Sequence, residues 1–104
     1  MAQRERYYVV IEHHGRLRAA RMSFRDDTTE RSMAAAEILA GGPVEGCTIA
    51  HWRDGYLVGR WTAPAWDRPK PFAWDDMHAA IRRSRKKITG WDVSAHLRAR
   101  KAAA

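Results

Sequence analysis

Five basic side chains stand within six residues near the C-terminal end of the sequence: Arg82, Arg83, Arg85, Lys86 and Lys87. Guanidinium and ammonium groups at this density offer one chemistry above all, the binding of anions such as phosphate. A Lys or Arg that neutralises a phosphate releases a counterion, so the affinity would fall steeply with salt. The stretch therefore predicts a nucleic-acid-binding surface, DNA or RNA, with contacts chiefly to the phosphate backbone.

The net charge of +7 lies entirely in the last 24 residues of the chain. Residues 1–80 hold 11 basic and 11 acidic side chains, whereas residues 81–104 hold eight basic side chains and a single acidic one. Arg98, Arg100 and Lys101 would extend the basic surface. Such asymmetry indicates an anionic partner. A solvated helix face is the alternative, because Arg outnumbers Lys 15 to 4, as GC-rich coding would produce without selection for binding.

Three aromatic residues, Trp52, Trp61 and Tyr8, form a second candidate set for stacking or for an interface. Pairing across an Asp54-Gly55 turn would place both Trp side chains on one face of a hairpin. Aromatic rings on an open sheet stack unpaired bases, and they also anchor protein interfaces. A core-facing role is equally compatible with the pattern, since alternation defines two faces of a strand but not which of them is buried.

Catalytic and metal chemistry has little support in this sequence. His13 and His14 are adjacent at a strand end, so their side chains would point to opposite faces and would not ligate one metal together. Cys47 is the only cysteine, and on a strand it is expected to be a small buried hydrophobe. The Asp pairs at 26–27 and 75–76 stand at predicted helix starts, where capping explains them. We therefore expect no enzyme activity, no metal and no cofactor.

A different interpretation begins from the tryptophans, which are Trp52, Trp61, Trp66, Trp74 and Trp91. A domain of this size buries five indoles with difficulty, so some of them are expected on an exposed patch. The alternative function is then a small protein-binding inhibitor or accessory factor, of the kind that phages and mobile elements encode. Such a factor would dock on a larger protein or nucleoprotein. Exposed tryptophans are also compatible with a homodimer.

Alternation and turn signals predict two β-hairpins, each followed by a helix. Residues 7–13 and 16–24 form the first hairpin around His14-Gly15, and Cys47–Arg53 and residues 56–62 form the second. A two-residue Asp54-Gly55 loop implies a regular register, in which His51 pairs with Val58 and Thr48 with Trp61. Between the hairpins, residues 28–40 are a helix that Asp27 caps and Gly41-Gly42-Pro43 ends.

The last third of the chain has a helical period. Over residues 72–89, one stripe of apolar or small side chains recurs with this period: Trp74, Met77, Ile81, Ser84 and Ile88. Four of the basic side chains lie opposite this stripe, and Arg85 lies at its edge. Gly90 is expected as the left-handed stop of this helix, and Asp92 as the cap of a short final helix over residues 93–100. The two helices would also fit a helix-turn-helix, with Ser94, His96, Arg98 and Arg100 toward a DNA groove.

The element order is therefore ββαββα(α), an α+β fold in which a four-stranded antiparallel sheet is covered on one face by helices. Residues 1–100 would form a single domain, with residues 101–104 as a frayed tail. No apolar run approaches the roughly 18 residues of a membrane span, and the N-terminus lacks the apolar segment of a secretory signal. We expect a cytoplasmic protein that does not bind membranes.

Overall fold

The computed structural model describes residues 5–24, 28–63 and 72–103 of the chain. These residues form one mixed sheet of strand order β4-β3-β1-β2-β5 and three helices, none of them long and apolar enough to cross a bilayer. The α+β class is confirmed, but the sheet has a fifth strand, which pairs in parallel. The elements in chain order are β1 (Glu5–His13), β2 (Arg16–Met22), α1 (Thr29–Ala40), β3 (Cys47–Arg53), β4 (Tyr56–Ala63), α2 (Trp74–Arg83), β5 (Lys86–Ile88) and α3 (Gly90–Ala103).

The β1–β2 hairpin forms as the sequence predicts. His14 and Gly15 both have positive φ, 53° and 77°, which is the conformation that a two-residue hairpin turn favours. His13 opposes Arg16 across this turn, and the antiparallel ladder continues from there along both strands. On its other side β1 pairs with β3, so β1 lies at the centre of the sheet with a neighbour on each edge.

The second hairpin has the predicted Asp54-Gly55 turn but not the predicted register. Val58 is an extra residue that forms a bulge in β4, so the predicted pairs of Val58 with His51 and of Trp61 with Thr48 are both wrong. Every later residue of β4 is displaced by one position relative to β3. Because side chains alternate between the faces of a strand, this displacement puts Trp61 on the opposite face from Trp52.

Helix α1 ends at the predicted glycine but begins one residue later than predicted, with Thr28 rather than Asp27 in the N-cap position. Thr28 is its N-cap, and the Thr28 Oγ1 accepts a hydrogen bond from the Arg31 N–H at 3.4 Å. The predicted cap, Asp27, lies outside the described residues. Gly41 ends the helix in the left-handed conformation, with φ at 76°. The helix buries three consecutive alanines, residues 34–36, whose small side chains let its backbone lie close to the sheet.

The single helix predicted over residues 72–89 is wrong, because the chain forms two elements there. Helix α2 ends at Arg83, Ser84 has an extended backbone (φ −63°, ψ 134°), and β5 then pairs in parallel with β2. The apolar stripe breaks because Ile88 packs into the core on the opposite face of the sheet from Met77. Pairing with β2 also satisfies backbone groups at the open edge of the sheet, and this outweighs the local helical period.

Helix α3 begins earlier and ends later than the predicted final helix. Gly90 is its first residue rather than a left-handed stop, and residues 101–103 are helical rather than a tail. Thr89 and Asp92 cap the helix reciprocally: the Thr89 N–H donates to Asp92 Oδ2 at 2.9 Å, and the Asp92 N–H donates to Thr89 Oγ1 at 3.1 Å. These hydrogen bonds hold the pKa of the Asp92 carboxyl below its usual value.

Helices cover both faces of the sheet, so the prediction of one covered face is wrong. Helices α1 and α3 lie on one face, over a core that includes Val9, Ile11 and Ile49. Helix α2 lies on the other face, over a core that includes Tyr8 and Val10. Residues 8–11 of β1 are consequently all buried, as is typical of a strand that is covered on both sides.

Candidate anion-binding site

The five clustered cations are exposed, but they do not share a helix face. Arg82 and Arg83 end α2, Arg85 lies in the link that follows, and Lys86 and Lys87 stand on β5. They form a band along the β5 edge of the sheet instead of a stripe opposite the core. The five residues are therefore neighbours, as predicted, but they belong to a sheet edge and not to one face of a helix.

A cavity of about 520 Å³ opens beside this band, at the edge of β2. Strand β5 pairs with Ala20, Arg21 and Met22, and among the described residues the first four of β2 have no strand neighbour on that side. The cavity occupies the space that a longer β5 would fill, and we refer to it as the edge notch. The residues that line it come from the β1–β2 turn, from β2, from the end of α2, from the link to β5, from the start of β5 and from the last turn of α1. They are His13, His14, Arg16, Leu17, Arg18, Ala19, Leu39, Ala80, Arg83, Ser84, Arg85 and Lys86.

The backbone of β2 faces the edge notch at two residues. The carbonyl oxygen of Leu17 accepts a hydrogen bond from Arg83 Nη2 at 3.4 Å, and that of Ala19 accepts one from Ser84 Oγ at 2.8 Å. The N–H and C=O of one strand residue point to the same neighbour in an antiparallel ladder. The amide N–H groups of Leu17 and Ala19 therefore face the notch as well, where they can donate to a bound anion.

Two arginine side chains at the end of α2 and in the link to β5 donate hydrogen bonds to backbone carbonyls at the rim of the notch. Arg83 is held by the Leu17 carbonyl, and Arg85 Nη1 donates to the carbonyl oxygen of Ser84 at 3.3 Å. A guanidinium has five N–H donors, so each of these contacts leaves donors for a ligand. The rim cations are thus positioned without being neutralised.

The electrostatics of the edge notch are one-sided. Five of its lining residues carry permanent positive charge, and none of those in the described part of the chain is acidic. In the described part of the chain, Arg16 and Arg18 have no ion-pair partner. Lys86 has a carboxylate in its vicinity, since its charge contributes to the lowered pKa of Asp92. The notch is therefore a concave region with a strongly positive potential.

Two histidines stand at one end of the notch. The rings of His13 and His14 have centroids 4.0 Å apart, at the turn that closes one end of the notch. Desolvation lowers the pKa of His13, and repulsion from His14 and Arg18 lowers it further. A bound anion would oppose both effects, since it would favour the charged imidazolium.

Four of these residues were not among the candidates from sequence: His13, His14, Arg16 and Arg18. The signal was present, because Arg16 and Arg18 are two residues apart on one strand and therefore share a face. What the sequence did not show is that this strand edge meets the end of α2. Because β5 is short and pairs with residues 20–22 of β2, the cations of the start of β2 and those at the end of α2 line one cavity.

The C-terminal end of α3, with Arg100 and Lys101, lies at the same end of the molecule as the last turn of α1. Arg31 Nη2 donates to the Gly90 carbonyl oxygen at 3.3 Å, and Arg100 Nη1 contacts Glu37 Oε1 at 2.9 Å. Helices α1 and α3 therefore run in the same direction, toward the end of α1 at which Leu39 lines the notch. Lys101 is exposed at this end, whereas Arg100 is partly neutralised by Glu37.

Arg98 has an aromatic neighbour instead. Its guanidinium carbon lies 5.7 Å from the centroid of the Trp91 ring, and Trp91 is 76% exposed. A cation over an indole face retains its charge, so Arg98 can still contact an anion. Of the three basic residues of α3 that the sequence analysis predicted to bind an anion, Arg98 and Lys101 therefore have charges that no carboxylate in the described residues neutralises.

The structure does not bring the aromatic candidates together as a platform. Trp52 is half-buried beside α2, with ring centroids 6.0 Å from Tyr8 and 4.6 Å from His78. Tyr8 itself is buried at 7% exposure. Trp61 lies on the other face of the sheet, edge-on to Tyr7 with 6.1 Å between ring centroids. Tyr8 and the two tryptophans therefore contribute mainly to the packing of two different faces.

The helix-turn-helix arrangement is not present, because β5 separates α2 from α3. Two of its predicted groove contacts also face α1: Ser94 Oγ accepts from Arg31 Nη1 at 3.3 Å, and His96 Nε2 contacts Glu37 Oε1 at 2.9 Å. Both side chains serve the packing of α3 on α1. A helix held in this way does not present these residues to a DNA groove.

The described residues contain neither a cluster of metal ligands nor a reactive cysteine. Those ranges contain no group of three or more His, Cys, Asp or Glu side chains that could hold a metal ion. Cys47 is buried, with its Sγ 3.6 Å from the carbonyl oxygen of Ser32. Burial raises the pKa of this thiol to about 12, so the thiolate that a nucleophile requires does not form near neutral pH.

Comparisons with protein-family models, with curated proteins and with solved structures found no match to this chain. The functional interpretation therefore depends on the geometry and charge of the residues described above.

Proposed function

We propose that this protein is a non-enzymatic nucleic-acid-binding module that contacts the phosphate backbone through the edge notch and the cations around it. The observation that carries the proposal is the notch itself, a cavity whose described lining residues include five permanent cations and no acidic side chain. Phosphate is the anion that Arg and Lys at such density suit best, and backbone amides in the same cavity add neutral donors.

The surface around the notch continues the same charge. Arg82 and Lys87 flank it on the exposed side of the α2–β5 link, while Arg98 and Lys101 extend it along α3. A nucleic-acid strand that crossed this surface would meet cations from three elements in succession. Since the contacts would be to phosphates, the binding would depend strongly on salt and weakly on base sequence.

The test is fluorescence anisotropy of labelled single-stranded and double-stranded oligonucleotides, titrated between about 50 and 200 mM salt. The informative variant is Arg82→Gln combined with Lys87→Gln, because both side chains are exposed and outside the notch. Loss of two phosphate contacts should weaken binding and reduce the slope of log affinity against log salt by about 1.8 for duplex DNA.

The matched control is Arg6→Gln combined with Arg53→Gln, which removes the same net charge from the opposite end of the sheet. Arg53 contacts Glu5 in an exposed ion pair, so its loss should have little effect on the fold. Equal effects of the two variants would show a response to net charge alone, which would contradict the proposed surface. No binding of either nucleic acid at low salt would reject the function.

A protein-binding accessory factor is the second candidate function, and two exposed tryptophans favour it. Trp91 is 76% exposed and Trp74 is 44% exposed, although indoles are usually covered. The guanidinium carbon of Arg60 lies 4.6 Å from the Trp74 ring centroid, so this exposed site, like that of Trp91, combines an aromatic ring with Arg. Trp and Arg are the residues in which interface hot spots are enriched.

A second copy of the chain is the partner that can be tested directly. Sedimentation velocity should show concentration-dependent association that the variant Trp91→Ser removes, if this surface binds protein in that way. A monomer at all concentrations would remove homodimerisation as support for the second candidate.

A further inference from the structure

The edge notch has the properties of a site for one compact ligand rather than for a length of strand. Its volume of about 520 Å³ lies within the range of about 300–1,000 Å³ that is typical of small-molecule sites. The apolar residues in its lining are Leu17, which is partly exposed, and Leu39 and Ala80, which are buried in the cores on opposite faces of the sheet. Cationic groups around a partly exposed apolar side chain suit a ligand in which a charged group is attached to a less polar body.

The number of charges in the notch also distinguishes between kinds of phosphate. A phosphodiester within a strand carries one negative charge, whereas a terminal phosphomonoester carries about 1.5 to 2 at pH 7 and has three acceptor oxygens. Arg16, Arg18 and Lys86 line the notch together with Arg83 and Arg85, whose guanidinium groups each donate to a backbone carbonyl. The amides of Leu17 and Ala19 add donors at the strand edge. A dianion uses this set of donors more fully than a diester does.

We propose that the edge notch binds the phosphorylated end of a nucleic-acid strand, with the terminal phosphate among its cations and the terminal nucleotide against Leu17. The inference rests on the proposed function, because it assigns a specific ligand to part of the same surface. It adds a preference for strand ends to a surface that otherwise contacts internal phosphates.

The experiment compares short oligonucleotides of one sequence that carry a 5′-phosphate, a 3′-phosphate or hydroxyl groups at both ends. Anisotropy is measured at fixed salt with an internal label, so that both ends remain available. At least one phosphorylated form should bind about tenfold more tightly than the hydroxyl form, as expected for additional charge-assisted hydrogen bonds. The same comparison shows whether the 5′ or the 3′ end is the ligand.

The variant Arg16→Gln with Arg18→Gln should abolish the preference for the phosphorylated end while the hydroxyl form still binds through the surrounding cations. The control Arg6→Gln with Arg53→Gln, of equal net charge, should retain the preference. Circular dichroism checks that each variant is folded. Should the β2 variant fail to fold, Lys86→Gln on the exposed β5 should reduce the preference in its place.

Competition supplies a second measurement on the unmodified protein. A nucleoside monophosphate should displace the phosphorylated oligonucleotide at lower concentration than the corresponding nucleoside or inorganic phosphate does. Equal affinity for phosphorylated and hydroxyl oligonucleotides would overturn the inference and leave the proposed function standing. Absence of binding by every oligonucleotide would overturn both.

Discussion

Ser84 Oγ donates a hydrogen bond to the carbonyl oxygen of Ala19 at 2.8 Å, and this contact joins the end of α2 to the open edge of β2. The two residues are 65 positions apart in the chain, so the contact belongs to the tertiary structure alone. It lies in the lining of the edge notch and marks where a helical segment gives way to the extended link before β5.

The variant Ser84→Ala should lower the free energy of unfolding by about 1 kcal/mol, because it removes a hydrogen bond to the carbonyl oxygen of the buried Ala19. Urea denaturation measures this change. Ser23→Ala is a suitable control, since Ser23 Oγ makes a longer contact of 3.4 Å to the Ile88 carbonyl oxygen and is expected to contribute less. A Ser84→Ala protein as stable as the unmodified chain would contradict the importance of this contact.

Glu37 should be the main polar determinant of how α3 packs on α1. Its Oε1 contacts His96 Nε2 and Arg100 Nη1, each at 2.9 Å, and its side chain is 13% exposed. Glu37→Gln removes the charge on which both contacts depend, so amide hydrogen exchange in α3 should become faster while exchange in β1 is unchanged. Glu12→Gln, an exposed substitution on β1, is the control and should alter neither. Unchanged exchange of α3 in the Glu37 variant would show that its packing on α1 does not depend on the charge of Glu37.

Cys47 should be unreactive in the folded protein. Burial raises the pKa of its thiol to about 12, so the reactive thiolate is a very small fraction at pH 8, and the sulfur is also inaccessible. A thiol reagent should therefore modify the chain only as fast as it unfolds, and at once in denaturant. Rapid modification without denaturant would mean that the strand Cys47–Arg53 opens locally.

Oligonucleotide binding should strengthen as the pH falls below about 6.5, the ordinary pKa of His. The pKa of His13 is lowered by desolvation and by the nearby His14 and Arg18, and a bound phosphate would raise it. A group whose pKa is higher in the complex takes up a proton on binding, so affinity increases as the pH decreases. The hydroxyl form of the oligonucleotide is the right ligand, because its phosphodiesters do not titrate in this range.

The combined variant His13→Gln and His14→Gln should remove most of this pH dependence. The other charged groups in the described lining of this cavity keep their positive charge throughout this pH range: Arg16, Arg18, Arg83, Arg85 and Lys86. An unchanged pH profile in the double variant would assign the effect to histidines outside the notch. His78→Gln, beside Trp52, tests that assignment.

Local chemistry determined much of this fold from the sequence. His14-Gly15 and Asp54-Gly55 specify two tight turns because their residues accept positive φ, and Thr28 and Gly41 bound α1 because they satisfy its terminal backbone groups. The strands next to these turns follow from the alternation and β-branched content of the chain. The concentration of positive charge in residues 81–104 is likewise a property of the sequence alone.

The tertiary structure decided what the local pattern left open. A helical period over residues 72–89 predicted one helix, but the unpaired edge of β2 and the core under Ile88 favoured a strand. One extra residue at Val58 moved Trp61 to the other face, which no alternation pattern can reveal before the register is known. The edge notch exists for the same reason: its cations come from segments far apart in the chain, and only long-range pairing brings them together.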